Sequence, residues 1–181
     1  MPGPGVVVLV EGESDAVVVR DLARRTDLEL EVVAMGGITN VATYVARLRR
    51  ERSDAVLLGV CDERERRFME RERPDLADVF VCERDLEDEL IRAVGPESVV
   101  ALLDELGELG RFRTFQEQPE WRGQPLHDQL RRFAGTRSGR KAVFAGRLAA
   151  ELEDDSLPRP LARLSDRLRA ETHPRTTGDS G

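Results

Sequence analysis

The 181-residue chain is poor in several residue types, and each shortage excludes something. Its two cysteines, Cys61 and Cys82, sit inside apolar runs, so there is neither a disulfide framework nor a zinc-ligand pattern. They read as buried thiols in a reducing compartment, which points to the cytoplasm. Two histidines, His127 and His173, make no His-rich metal site. No serine or cysteine nucleophile sits with either, and both read as surface residues. One Trp and one Tyr give no aromatic stacking platform. No apolar run reaches the roughly 18 residues of a membrane helix, and the opening MPGPGVVVLV lacks the positive segment of a signal peptide. Among 28 basic residues only one, Lys141, is lysine.

What is present is charge over a sufficient core. The hydrophobic fraction is 40% and the charged fraction 35%, enough to bury a core at this length and too apolar for a disordered chain. A net charge of -7 argues against indiscriminate coating of nucleic acid. Any metal must be held by carboxylates, which favours Mg²⁺ or Mn²⁺ over zinc. The charge is also uneven: residues 111–150 hold nine basic and three acidic residues, while the first 110 are strongly acidic. An acidic part followed by a basic one suits a metal centre beside a phosphate-binding face, and suits ordinary surface charge as well.

Short apolar runs at 5–10, 30–34, 55–61 and 79–82 alternate with helical patterns. That predicts four parallel strands with helices on both faces, an α/β fold. Helices are expected from Asp15, over about 40–50, over 63–73, from Asp85, and then over 96–109, 125–133, 138–152 and 160–170, with loops at 111–124 and 153–159. The organisation expected is an α/β core over 1–95, a helical extension of the same domain over 96–171, and a disordered tail over 172–181.

In open parallel sheets, ligands bind beyond the carboxyl ends of the strands. Glu11 and Asp62 directly continue apolar strands, and Gly12 beside Glu11 permits close approach of a phosphate. Both read as functional. Asp15 reads equally as a helix cap or a ligand. Glu13, Glu63 and Glu89 read as solvated or capping acids. No phosphate-binding G-x-x-x-x-G-K-[ST] loop and no G-x-G-x-x-G turn occurs, which excludes a P-loop ATPase and a Rossmann dehydrogenase.

These residues resemble a known pattern. Val8-Leu9-Val10-Glu11-Gly12-Glu13-Ser14-Asp15 is similar to the opening of a Toprim domain, and Met35-Gly36-Gly37-Ile38-Thr39-Asn40 to its Gly-Gly turn. Leu58-Gly59-Val60-Cys61-Asp62 is similar to the strand carrying the Asp-x-Asp pair, with Arg64 in place of the second Asp and Glu65 next to it. Asp85-Leu86-Glu87-Asp88-Glu89-Leu90, Gly139-Arg140-Lys141 and Pro158-Arg159-Pro160 resemble the OLD (overcoming lysogenization defect) nuclease branch.

The resemblance implies a Toprim-like four-stranded parallel sheet flanked by helices, with additional C-terminal helices, and metal-dependent chemistry on DNA or RNA. Glu11, Asp15, Asp62 and Glu87 would hold Mg²⁺ or Mn²⁺, with Glu65 a lesser candidate. Lys141 would neutralise the phosphate, and Arg131, Arg132, Arg137 and Arg140 would hold the nucleic-acid backbone. Larger OLD nucleases carry an ATPase, so this chain would stand alone or work with a separate ATPase partner. The alternative is a catalytically weak Toprim-like binding or scaffold module. A receiver-like phosphorylation switch fits poorly, because Lys141 follows several helices and not a fifth strand.

Overall fold

The computed structural model describes residues 5–26, 28–136 and 138–172. Arg137, the side chain of Arg140, and the tail beyond residue 172 lie outside the described residues. Strands β1 (Val6–Val10), β2 (Leu30–Ala34), β3 (Val56–Asp62) and β4 (Asp78–Cys82) form one parallel sheet in the order β2-β1-β3-β4. β1 is paired on both edges, from Val6↔Leu30 to Val10↔Ala34 on one side and from Val6↔Val56 to Leu9↔Gly59 on the other. Its run of Val and Leu is therefore buried throughout, as a two-faced central strand requires.

Helices α1 (Glu13–Arg24), α2 (Val41–Glu51) and α3 (Arg66–Arg71) connect the strands, and α4 (Leu86–Val94) follows β4. Then come α5 (Pro96–Glu105), α6 (Leu109–Gln116), α7 (Leu126–Ala134), α8 (Ser138–Ala150) and α9 (Arg159–Thr172). This is the α/β architecture expected from the alternating runs.

Alternation along each strand divides the core in two. Val6, Val8 and Val10 join the larger cluster with α1 and the helices from α4 onward. Val7 and Leu9 join the smaller one with Val41, Val45 and Leu48 of α2 and Met69 of α3. Gly59 leaves room for Met69, since a Cβ there would stand 3.0 Å from Met69 Sδ and the thioether would have to shift.

α8 lies directly on α1, and two details fix it there. A Cβ on Gly146 would come within 2.7 Å of Val17 Cγ1, so the helices approach as closely as glycine allows. Arg25 donates from Nη1 to Leu152 O at 2.7 Å and from Nη2 to Ala149 O at 2.8 Å, satisfying carbonyls at the end of α8.

Three expectations need correction. α1 begins at Glu13, with Gly12 as its N-cap; Asp15 caps from inside the helix, accepting from Gly12 N–H at 3.1 Å. Residues 109–116 are helical where a loop from 111 was expected, because Phe112 and Phe115 are buried one turn apart and anchor a segment otherwise polar. α3 is shorter than the charged stretch 63–73, because Asp62 folds residues 62–65 into a turn, its Oδ1 accepting from Glu65 N–H at 3.0 Å.

Candidate functional site

The order β2-β1-β3-β4 reverses direction between β1 and β3, since β1 leads out to β2 and β3 leads out to β4. That junction is where an open α/β sheet takes its ligand, and Glu11 and Asp62 stand there. The carbonyl of Glu11 is held by the turn after β2: Gly36 N–H donates to it at 2.9 Å and Gly37 N–H at 3.2 Å. Both glycines have positive φ, 69° and 135°, which residues with a Cβ resist. The Gly-Gly turn thus fixes the end of β1.

A cavity of about 140 Å³ opens at this junction, lined by Glu11, Asp15, Asp62, Glu65, Asp85, Glu87 and Lys141. Six elements or turns supply these side chains. Glu11 and Asp62 come from the strand ends, Asp15 from the first turn of α1, and Glu65 from the turn after β3. Asp85 and Glu87 open α4, and Lys141 reaches in from α8. Arg64 does not join them. It is exposed and faces the outer side of α3 with Arg67 and Arg71, so position 65 delivers the second acid of this strand end.

The carboxyls crowd one another. Burial, then the Glu87 carboxylate, push Asp15 up to about 6. Burial and the Glu11 carboxyl, which shares a hydrogen bond with it, push Glu65 up to about 8. Glu87 is 3% exposed, and burial raises it too, against the pull of Lys141. Lys141 Nζ stands 3.3 Å from Glu87 Oε1. Burial works against its charge, but Glu87 and Asp15 outweigh it and hold the ammonium above its usual value.

Among the described residues, no three Asp, Glu, His or Cys side chains converge closely enough to hold an ion as they stand. The donors nonetheless suit a hard divalent cation. All are carboxylate oxygens in one cavity, and Glu87 Oε1 is buried with the Lys141 ammonium 3.3 Å away.

Asp85, Glu87 and Lys141 also line a second, larger cavity of about 610 Å³. Arg84, Trp121, Gln124, Arg131 and Arg132 are on its walls. Arg131 is engaged there: its Nε donates to Asp85 Oδ2 at 2.8 Å, while Asp85 Oδ1 caps α4 by accepting from Asp88 N–H at 2.8 Å. Arg132 is exposed at the rim and makes no ion pair among the described residues. Arg137 and the Arg140 side chain lie outside the described residues.

The acids set aside by sequence behave differently from one another. Glu13 and Glu63 are exposed and pair with Arg20 and Arg66. Glu89 is buried and accepts from Glu83 N–H at 2.9 Å. His127 is not the surface residue expected. Its Nε2 lies 2.8 Å from Oδ1 of Asp88, which is fully buried and also pairs with Arg92 and Arg84. Burial disfavours the Asp88 charge, but His127 and Arg92 prevail and lower its pKa. Asp85, Trp121, Gln124 and Arg84 were not singled out from sequence. Asp85 alone carried a signal, following β4 in the run of acids. Cys61 and Cys82 are buried free thiols, as expected.

Comparison with known proteins places this geometry in a class of fold. No family model and no curated protein sequence matches the chain. Its structure, by contrast, is matched along nearly its whole length: the fold is the Toprim-like α/β sheet with additional C-terminal helices. The solved neighbours are C-terminal regions of OLD proteins. That of Burkholderia pseudomallei is 15% identical with a TM-score of 0.63, covering 93% of this chain and 98% of that one. That of Xanthomonas campestris pv. campestris is 19% identical with a TM-score of 0.62, covering 93% and 95%. A second structure of the Xanthomonas region is 20% identical with a TM-score of 0.60, covering 94% and 98%. At these identities the likeness is one of fold. Among the described residues, no helix is long and apolar enough to cross a membrane.

Proposed function

We propose that this chain performs metal-dependent phosphodiester chemistry on nucleic acid, as a DNA endonuclease or nickase. Mg²⁺ or Mn²⁺ would be held by Glu11, Asp15, Asp62 and Glu87, with Glu65 as a further ligand. The observation that carries this reading is the gathering of these carboxylates and Lys141 around one cavity at the switch point of the sheet. Bound there, the metal would supply Lewis-acid stabilisation of the attacking and leaving oxygens.

The chain's own residues do the remaining work. Lys141, a compact ammonium already paired with Glu87, would neutralise a phosphate oxygen entering between the two cavities. Arg132, Arg131, Arg137 and Arg140 would hold the backbone without reading sequence. Arg131 keeps donors to spare while its Nε holds Asp85. RNA offers the same phosphodiester and is the second substrate to try. Because the structural neighbours are C-terminal regions of OLD proteins, we further propose that an ATPase acts with this module.

Plasmid cleavage with Mn²⁺ or Mg²⁺ tests the reading. Wild type is expected to nick or cut, and Glu11→Ala and Asp62→Ala to lose the activity. Undiminished activity in both variants overturns the metal site. The scaffold alternative is favoured by one observation, that no three ligands converge among the described residues. Calorimetric titration separates the two: no heat at millimolar Mn²⁺ supports the scaffold, and saturable binding lost in Glu11→Ala supports the enzyme.

A further inference from the structure

We infer that the larger cavity is a pocket for one unstacked nucleobase, so that the substrate is single-stranded or locally opened nucleic acid and not uniform duplex. The inference rests on reading the neighbouring carboxylate cavity as the phosphodiester site.

Trp121 is the chain's single tryptophan, and a single ring suffices to receive one base. Its ring stacks on Phe115 at 5.3 Å and 25°, and Phe115 packs in turn against Phe112 and Phe133. The loop that carries it is tied down. Buried Gln129 donates from Nε2 to Trp121 O at 2.7 Å, and its own Oε1 accepts from Gln116 Nε2 at 2.7 Å. Trp121 is thus a pre-positioned platform that still lines the open cavity. Gln124, whose N–H donates to Trp121 O at 3.1 Å, lines the same cavity. Its amide offers a donor and an acceptor to a base edge.

Size and neighbours select the ligand. The carboxylate cavity, at about 140 Å³, is too small for a nucleoside, whereas about 610 Å³ is ample. Lys141 and Glu87 line both. A phosphate at Lys141 therefore places an attached base within reach of Trp121, with Arg132 at the rim for the next phosphate. A base inside regular duplex is stacked and does not reach such a wall without being extruded. Stacking on an aromatic ring accepts any base, so the pocket selects strand state before sequence.

The lone tryptophan is also the reporter. In EDTA, where binding proceeds without cleavage, its fluorescence is followed during titration with a short oligodeoxyadenylate, an abasic oligonucleotide of equal length, and a blunt duplex. Saturable quenching is expected with the first, and binding about tenfold weaker with the abasic strand and the duplex. By anisotropy of a labelled oligodeoxyadenylate, Trp121→Ala should lose about tenfold, while Trp121→Phe, which keeps a ring on Phe115, stays within about twofold. Equal affinity for base-bearing and abasic strands overturns the inference, as does equal weakening by both substitutions or no saturable binding of any single strand. Metal-dependent plasmid cleavage alongside such a result leaves the phosphodiester reading standing. Base-dependent binding with no cleavage in any divalent metal overturns that reading and leaves the pocket.

Discussion

The two faces of the sheet differ in depth and in chemistry. One is covered by α1 and the helices from α4 onward over the larger core. The other is covered by α2, α3 and the short turn before α2 over the smaller core. On the shallow face the sequence places arginines over rings: Arg47 over Tyr44, and Arg67 and Arg71 over Phe68. These shield apolar surface where a second layer of helices is missing. On the deep face the fully buried Asp88 carboxylate is matched by His127, Arg92 and Arg84. Asp15, Asp85, Glu87, Lys141 and Trp121 all come from elements of the deep face. A site assembled from distant segments needs thick packing to hold each segment, and only this face has it.

The largest expected effects lie in the two cores. Phe144→Ala on α8 removes a buried ring from the deep face and should cost about 3–5 kcal/mol. Cleavage should fall with it even under conditions where the protein stays folded, because α8 carries Lys141. Leu48→Ala on the shallow face should cost about 2–5 kcal/mol and spare cleavage. Denaturant unfolding and plasmid assays of the pair check this, and equal loss of cleavage would dissolve the distinction between faces.

Next come the groups shared by the two cavities. Glu87→Ala and Lys141→Arg should each lower cleavage by about 10–100-fold, the second because a guanidinium is larger and flatter than the ammonium it replaces. Full activity in Lys141→Arg would return Lys141 to an ordinary ion-pairing role. His127→Ala should cost about 1–3 kcal/mol, by withdrawing one partner from the buried Asp88 carboxylate.

Acidity gives a smaller effect. Asp15 has a folded pKa of about 6 against an ordinary 3.8, so the folded protein binds this proton before the unfolded one does. Without divalent metal, Asp15 should therefore add stability as pH falls through 6 towards 4, by about 2 kcal/mol, and Asp15→Asn should flatten that rise. Thermal unfolding in EDTA across this range measures it, and a fall in wild-type stability through the same window would contradict the crowding. The smallest effect is Arg64→Asp. The position is exposed, and Glu65 already lines the cavity, so cleavage should be unchanged and stability altered by no more than about 0.5 kcal/mol.

The four strands were legible because each is a short apolar run closed by a turn or an acid. Glu11 and Asp62 were legible because they directly continue such runs. Asp15 was recognised with two roles open, and it does accept the Gly12 N–H at 3.1 Å. The helix at 109–116 was not legible, because only Phe112 and Phe115 mark its inner face. His127 read as a surface residue because its partner is 39 positions away. Trp121 read as too few aromatics, since a count says nothing of where a ring is presented.

By itself, then, the sequence determined the parallel α/β sheet and the line of acids at its carboxyl edge, through local patterns of apolar runs, glycines and caps. Only the tertiary structure decided which acids share a cavity, that position 65 and not 64 enters it, and that Lys141 from α8 and Trp121 from the loop before α7 line one cavity with Glu87 and Asp85. The physical reason is that strands and caps are set by neighbours in the chain. The approach of α8 to α1 is set instead by one glycine against one valine and by Arg25 holding carbonyls more than a hundred residues away.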